Sequence, residues 1–593
     1  MRLEGLIYMY SSIRSFKKLN AHRLLTLTLL SAIFYSCSQH VAQVSVPVPA
    51  KADTTAVATL APGKPVLLDS VVFGKSLNKE QAKAQQFYRQ HSFQSQWLLD
   101  NQPSPLYATV VAALSDAGKF GLNPADYDLE GIQESVKLLY GDKAVKPQTL
   151  IALDRHITEM LFNYTTHLSV GKITEASGGR SIWKPSPRLD RNLDLELIGK
   201  AQTPDGLLAA IQQLQPTQEQ YGKLQRALAY YRALEKNTPS SPLEITKGVK
   251  IKPDDHHNLI TAVRKKLSLT DMKVYPVAFD SASCAFDSTR YDAGLVEAVK
   301  AFQSKHGLEA DGILGERTLR FLNQSFKEKA DLIALNMERL RWSREKYGDN
   351  YIQVNVPAYT LTVYENHKPA MDMRVIVGAV DKPTPIFNDA MGHIVFSPTW
   401  TVPTSIIREE IIPRLKSDSS YYVNKNYAFY KDEIAIDPTT ETWDDSANPY
   451  KYRIVQQPGP DNSLGRVKFL LTNTMSVYLH DTPNHRLFTK DYRALSHGCV
   501  RLDEPARFAA YLMRDQTGWD LERIKKAMND SIPATVRLKK RYDVYIDYIT
   551  VWVDENDSVN FREDIYGHDR RQLQLLFPKE KEKAKMGGDV AGL

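Results

Sequence analysis

Apolar positions recur at steps of three and four through the first half of the chain and give way to alternating, β-branched runs in the second. In LIALDRHITEMLFNYTTHL, Ile151, Leu153, Ile157, Leu161 and Tyr164 recur at steps near three and four, the period of a helix. In YGKLQRALAYYRALEK, Leu224, Leu228, Tyr231 and Leu234 form another stripe. The spacing predicts helical layers over residues 71–247, with their aromatics used in core packing. From 250 to 326 the helices shorten. Leu259, Ile260, Val263 and Leu267 mark one; Leu295, Val299 and Phe302 mark a second that Gly307 can end in the left-handed conformation; an Asp311-Gly312 turn then leads into a third. After Asn336 the runs YIQVNVP, YTLTVYE, MRVIVGA, HIVFSPTW, VKFLLTN, SVYLHD and DVYIDYITVWV predict a mainly β domain over 336–555. A polar, tyrosine-rich insertion interrupts it at 406–465, and connections of that length usually carry their own structure or act as lids. Residues 556–593 read as a C-terminal tail. The expected fold class is multidomain, α plus mainly β.

Length and charge refine this picture. A chain of 593 residues has room for about three or four domains. At its start, Arg14, Lys17, Lys18 and Arg23 precede an apolar run from Leu24 to Tyr35 that ends in Ser36-Cys37, the order of a secretory signal. The run is well short of the ~20 residues that span a bilayer, so residues 1–37 read as a removable signal peptide and the protein as exported. The segment 38–70 is rich in Ala, Val, Pro and Thr and reads as a flexible tether. Residues 1–37 hold five Lys/Arg and one Glu, so removing them takes the 76 basic and 69 acidic residues to 71 and 68, a net charge of +3. No basic stripe remains to suggest a nucleic-acid partner.

FYSC, Phe34 to Cys37, resembles a bacterial lipoprotein cleavage box. The resemblance implies a lipid on Cys37 and a periplasmic, membrane-anchored protein; plain secretion and an uncleaved anchor are the alternatives. Of three cysteines, this leaves Cys284 and Cys499, and a bridge between them would silence any catalytic thiol.

The densest chemistry lies in YLHDTPNHRLFTKDYRALSHGCVRL, Tyr478 to Leu502, which holds His480, His485, His497 and Cys499. Strand alternation puts Tyr478 and His480 on one face and Val477, Leu479 and Asp481 on the other. The polar loop 481–495 is long enough to carry the chain round and return a thiol to the His480 imidazole. An imidazole lowers a neighbouring thiol's pKa and can later protonate a leaving amine, which suits acyl transfer. Gly498 lets the backbone turn sharply, and the Gly498 and Cys499 N–H groups could face a developing oxyanion, at roughly 3 kcal/mol per donor. On these residues alone two other readings stay open: a structural cysteine, and a zinc site of His480, His485, His497 and Cys499.

Two resemblances narrow the choice. FQSKHGLEADGILGERTLRFL, Phe302 to Leu322, resembles the peptidoglycan-binding type one family, a small three-helix module, over 250–326. A spacer that keeps that fold without a ligand is the alternative. HDTPNHRLFTKDYRALSHGCVRL resembles the active-site motif of the L,D-transpeptidase (YkuD-type) catalytic domain, supported by VNVPAYTLTVYENHKPAMDMRVIVGAVDKPTPIF, FSPTWTVPTSI and IVQQPGPDNSLGRVKFLLTN. The whole is similar to the large subfamily, with a helical scaffold domain, a peptidoglycan-binding-like module and a β-rich catalytic domain with a capping insertion.

The resemblance implies Cys499 as nucleophile and His480 as proton acceptor and donor. Around them it implies His497, Ser496 and Gly498 as supporting residues, Arg501 as a substrate-carboxylate or loop-ordering charge, and Tyr478 and Trp400 as cleft walls. Ser397 stands where the family commonly has asparagine. A backbone carbonyl, rather than the Asp481 carboxylate, is expected to orient the imidazole. The implied reaction joins third-position residues of peptidoglycan stem peptides through a cysteine thioester, releasing D-alanine from a tetrapeptide donor to an amine acceptor. It needs no cofactor or metal, and carbapenem-type inhibitors would acylate the thiol. L,D-carboxypeptidase action, attachment of a protein to the wall, a non-catalytic wall-binding scaffold and a metalloenzyme are the rivals.

Overall fold

The computed structural model describes residues 63–68, 78–141, 146–173, 192–237, 241–270, 287–342, 347–444, 447–473 and 475–578. The signal segment, Cys37, most of the tether and Cys284 lie outside them. Among the described residues no helix is long and apolar enough to cross a membrane.

The helical half is built round α1 (Pro147–Val170), whose Leu153, Ile157, Leu161 and Tyr164 are buried as the spacing requires. Its Asp154 is fully buried and accepts from Tyr88 Oη (2.5 Å) and from the N–H groups of Gln96, Trp97 and Leu98 (3.1, 2.8 and 2.8 Å). One carboxylate thus pins the short strand Gln94–Leu99 and the helix Lys79–Gln90 to α1. Burial nonetheless raises its pKa to about 6. Farther on, α2 (Glu219–Asn237) buries Tyr221, Leu224, Leu228 and Tyr231, and packs against the helix Phe326–Trp342 described below.

The small module contains α3 (Ala293–Lys305) and α4 (Glu316–Asn323). Its core includes Ile260, Val263, Leu295, Val299, Phe302 and Leu319. Gly307 follows α3 at φ +67° and Gly312 has φ +74°, both left-handed. Buried Gln303 joins the two segments, donating to Asp311 Oδ1 (2.9 Å) and accepting from the Gly312 N–H (2.9 Å).

The step into β structure comes later than the sequence suggests. Asn336 lies inside α5 (Phe326–Trp342), and the first strand of the large sheet begins at Tyr351. The helical signal is hidden because α5 buries charge. Arg341 and Glu338 form a fully buried pair at 3.0 Å, with Glu338 also accepting from the Ile173 N–H and Trp342 Nε1. Arg339 pairs with Asp569 at 2.5 Å.

The large sheet has strands β1 (Tyr351–Asn355), β2 (Thr360–Glu365), β3 (Lys368–Gly378) and β4 (Phe387–Phe396). After the cap come β9 (Val467–Leu471), β10 (Leu479–His480), β11 (Ala494–Ser496), β12 (Val500–Leu502) and β13 (Ala534–Asp547). Their order is β11-β3-β12-β10-β9-β4-β13-β1-β2, and β2 also pairs with β3, so the sheet closes on itself with β11 at the margin. Val375, Ile394, Phe396, Phe469, Leu479, Val500 and Leu502 fill its core beneath α6 (Pro505–Met513) and α7 (Leu521–Met528). The Ser397 hydroxyl donates to the carbonyls of Met528 (3.1 Å) and Asp530 (2.7 Å), holding the end of α7.

The insertion carries its own structure. Strands β5 (Trp400–Thr401), β6 (Tyr427–Lys431), β7 (Ile434–Ile436) and β8 (Tyr452–Gln456) form a sheet in the order β7-β6-β8-β5. It covers a separate core of Val402, Ile406, Ile411, Phe429, Trp443 and Ile454.

The stretch read as a tail is a correction. DVYIDYITVWV splits between β13 and β14 (Val551–Val553), which pairs with β15 (Val559–Phe561), and α8 (His568–Leu576) follows. Val551, Val553 and Phe561 pack against α2 and α5. A strand of three residues and a polar helix give too little periodicity to stand out in the sequence. Replacing Asp154 with Ala is expected to deprive the N–H groups of Gln96, Trp97 and Leu98 of their acceptor and to cost at least about 3 kcal/mol, read as a lower denaturant midpoint for the helical region.

Candidate active site

The site is a product of register. On β10, Leu479 pairs with Val500 and His480 with Arg501 in parallel fashion, while Lys468 of β9 lies opposite His480. Leu479 and Val500 point into the core, so Tyr478, His480, Cys499, Arg501 and Lys468 share the outer face. Lys468, His480 and Arg501 thereby form a row across three strands. One pleat away the Val500 N–H donates to the Tyr478 carbonyl (3.2 Å), which sets Cys499 beside Tyr478 and diagonal to His480.

The loop that returns the thiol is held along its length. Arg493 is buried and donates to the carbonyls of Val375 (3.1 Å), Lys490 (2.6 Å) and Tyr359 (3.1 Å). β11 then pairs with β3, Ser496 beside Gly378. Gly498 has φ +109°, a conformation side chains resist, and its carbonyl accepts from Thr384 Oγ1 (2.9 Å). Thr384 is braced in turn by Tyr566 Oη, which accepts from its N–H (3.2 Å).

His480 is buried, and its Nδ1 donates to the Asp481 backbone carbonyl at 2.5 Å. That fixes the neutral tautomer with Nε2 as the proton-accepting nitrogen. The Asp481 carboxylate faces elsewhere, accepting from the N–H groups of Arg466 (2.8 Å) and Thr482 (2.7 Å) and pairing with His485 (3.2 Å). Burial, then the neighbouring Arg501 charge, lowers the His480 pKa to about 3, so the ring is neutral at physiological pH.

Cys499 is a free, half-buried thiol. The Tyr478 phenol lies against it, the Ser476 carbonyl lies 3.8 Å from Sγ, and Lys468 and Arg501 both act on it by charge. The expectation of a lowered thiol pKa fails: burial outweighs the Tyr478 backbone, the Lys468 charge, the phenol and the Arg501 charge, and pushes the thiol up. The sheet face therefore carries a neutral thiol and, diagonal to it in the strand register, a neutral imidazole.

The expected oxyanion donors are also revised. The Gly498 N–H donates to Ser496 Oγ (3.2 Å), and Ser496 Oγ donates to the Cys499 carbonyl (2.5 Å), so Ser496 knots the turn from within. The Cys499 N–H has no partner among the described residues and stays available. Beside it the Tyr478 hydroxyl lies near the sulfur, and Trp400, on the cap sheet, lies near that hydroxyl.

His497 points away from the thiol, its Nε2 pairing with Glu410 of the cap, while Lys382 pairs with Glu409 at 2.9 Å. With His485 on Asp481, His497 on Glu410 and His480 on a carbonyl, the imidazoles do not converge, and no group of metal-ligating side chains gathers among the described residues. Sequence reasoning missed Lys468, whose only signal is its place in the alternation of VKFLLTN, and Thr384 and Tyr566, which carry none. A cleft of about 600 Å³ lies behind Asp481, lined in part by Arg466, His485, Asp503, Arg507 and Lys525; none of Tyr478, His480 and Cys499 is in its wall.

Residues 349–525 match the family described as L,D-transpeptidase catalytic domain, 82–228 one described as Scaffold domain, and 278–322 one described as "Putative peptidoglycan binding domain". A curated Haemophilus influenzae protein named "Putative L,D-transpeptidase" is 33% identical over 240 residues, covering 40% of this chain and 48% of that protein. The chain thus spans about half the length of the curated relative it matches. Among solved structures, an L,D-transpeptidase from Mycobacterium smegmatis aligns at 12% identity with a TM-score of 0.18, covering 34% of this chain and 58% of the other. One from Stackebrandtia nassauensis aligns at 14% identity with a TM-score of 0.18, covering 52% and 97%.

Alkylation of Cys499 by iodoacetamide is expected to follow a single rise with pH, with a midpoint above that of an ordinary thiol. A rate plateau persisting to pH 6 would show instead a preformed thiolate and imidazolium pair. Ser496→Ala, which unties the turn, is expected to lower turnover in the reaction proposed below by about tenfold or more, with the melting temperature little changed.

Proposed function

Since this chain carries a YkuD-type L,D-transpeptidase catalytic domain together with a scaffold domain and a peptidoglycan-binding module, we propose that it crosslinks peptidoglycan stem peptides. The observation that carries this reading is the free Cys499 thiol on one sheet face with a carbonyl-oriented, neutral His480. His480 Nε2 takes the thiol proton as Sγ attacks the carbonyl carbon of the donor's third residue. The Cys499 N–H and the Tyr478 hydroxyl face the oxygen on which charge develops. Collapse breaks the C–N bond, the His480 proton passes to the leaving nitrogen, and D-alanine departs, leaving a thioester on Cys499.

An acceptor amine then attacks the thioester, gives its proton to His480, and the C–S bond breaks to restore the thiol. Neutral partners suit this cycle, because a proton must be returned twice and an imidazolium beside Lys468 and Arg501 gives it up readily. Water at the same step would give a carboxypeptidase product. The cap, which reaches the site through Trp400 and Glu410, is the part placed to admit an amine and exclude water. The N-terminal segment fits an exported, lipid-anchored periplasmic protein, and carbapenem-type inhibitors fit as acylating agents of Cys499.

Incubation of the purified protein with disaccharide-tetrapeptide, followed by mass spectrometry, tests the reading. Crosslinked dimer and free D-alanine are expected, both abolished in Cys499→Ala and reduced at least about 10³-fold in His480→Ala. Release of D-alanine without dimer would support a carboxypeptidase, and neither product from protein with a reactive thiol would support a binding scaffold. Asp481→Ala is expected to retain most activity, since only its backbone oxygen meets the imidazole.

A further inference from the structure

Lys468 and Arg501 flank His480 on either side in the strand register, and both face the thiol. Neither forms an ion pair among the described residues, and Arg501 Nε is buried with no hydrogen-bond partner. The Lys468 ammonium lies 3.9 Å from the centre of the Tyr478 ring and is partly buried. Two cations drawn out of water without a counter-charge are costly, and burial lowers the pKa of each, with the Cys499 sulfur the only charged group opposing it. A neutral thiol supplies no such counter-charge. The face therefore presents two cations that no carboxylate of the described residues pairs with.

The chemistry proposed above says where that anion belongs. The nitrogen of the leaving residue must meet His480 Nε2 to receive its proton. In a C-terminal amino acid the carboxylate is two bonds from that nitrogen, so it falls beside a group flanking His480. Resting on that proposed reaction, we infer that Lys468 is a specificity-determining residue that, with Arg501, binds the terminal carboxylate of the donor stem peptide. The carboxylate supplies the missing negative charge, and the enzyme thereby selects donors that end in a free acid over amidated, extended or already crosslinked stems. Tyr478 holds the ammonium in place through its ring face, a contact worth most where water is excluded.

The test compares a tetrapeptide donor ending in free D-alanine with the same donor ending in D-alaninamide, using the full chain as wild type, Lys468→Met and Lys468→Arg. Lys468→Met is expected to lower kcat/KM for the acid donor roughly 30- to 100-fold more than for the amide donor, with the difference mainly in KM; Lys468→Arg should recover most of that difference. The same variants in a Cys499→Ala background are expected to show the matching loss of affinity for the acid donor by calorimetry. That arm reads the carboxylate contact without turnover. If the wild type turned over neither donor, the proposed reaction would fail while the binding arm still decided the assignment. Equal losses on acid and amide donors, with Cys499 alkylation moved to higher pH, would overturn the inference by showing that Lys468 serves the sulfur rather than the substrate.

Discussion

The pairing of β10 between β9 and β12 is the constraint on which the site depends. Two paired residues, Leu479 and His480, fix which side chains face the core and which face out. A slip of one residue in the neighbouring strand on either side would bury Lys468 or Arg501 in the core and turn Phe469 or Val500 outward. The aliphatic residues beneath therefore hold the polar row above in place. A strand this short has few ladder bonds of its own, and its position is guaranteed by neighbours paired over longer runs.

The loop between the two reacting groups follows the same logic. Fifteen residues separate His480 from Ser496, and their closure entropy is offset by a few well-placed attachments: Arg493 on three carbonyls, β11 on β3, and the Thr384 contact with Gly498. Tyr566 lies in the segment beyond β15 and braces Thr384, so the last described part of the chain stabilises the turn that presents the thiol. Arg317 of the small module likewise bridges Asp491 of the loop and Glu563 near the C-terminus. Elements distant in sequence meet at the back of the one turn that carries Cys499.

Much of this was legible beforehand because it rests on periodicity or on a local motif. The stripe in α1, the Gly307 and Gly312 positions and the outward face of Tyr478 and His480 all follow from spacing alone. What could not be read depends on burial. The raised Cys499 pKa comes from desolvation, which no residue order announces, and an expectation based on the nearby imidazole had the wrong sign. Asn336 looked like a boundary because the buried Arg341 and Glu338 pair carries polar letters into a helix core. Gly498 was rightly seen as a turn, but the Ser496 hydroxyl that occupies its N–H is three-dimensional information.

The central claim is that the Cys499 sulfur carries the acyl group and that the imidazole of His480 moves the proton. Acid-quenched reaction of the protein with disaccharide-tetrapeptide, digested and mapped by mass spectrometry, tests it most directly. The account predicts a disaccharide-tripeptidyl adduct on the peptide containing Cys499, labile to hydroxylamine and scarcely formed by His480→Ala. An adduct on another residue, or full acylation in the absence of His480, would contradict it.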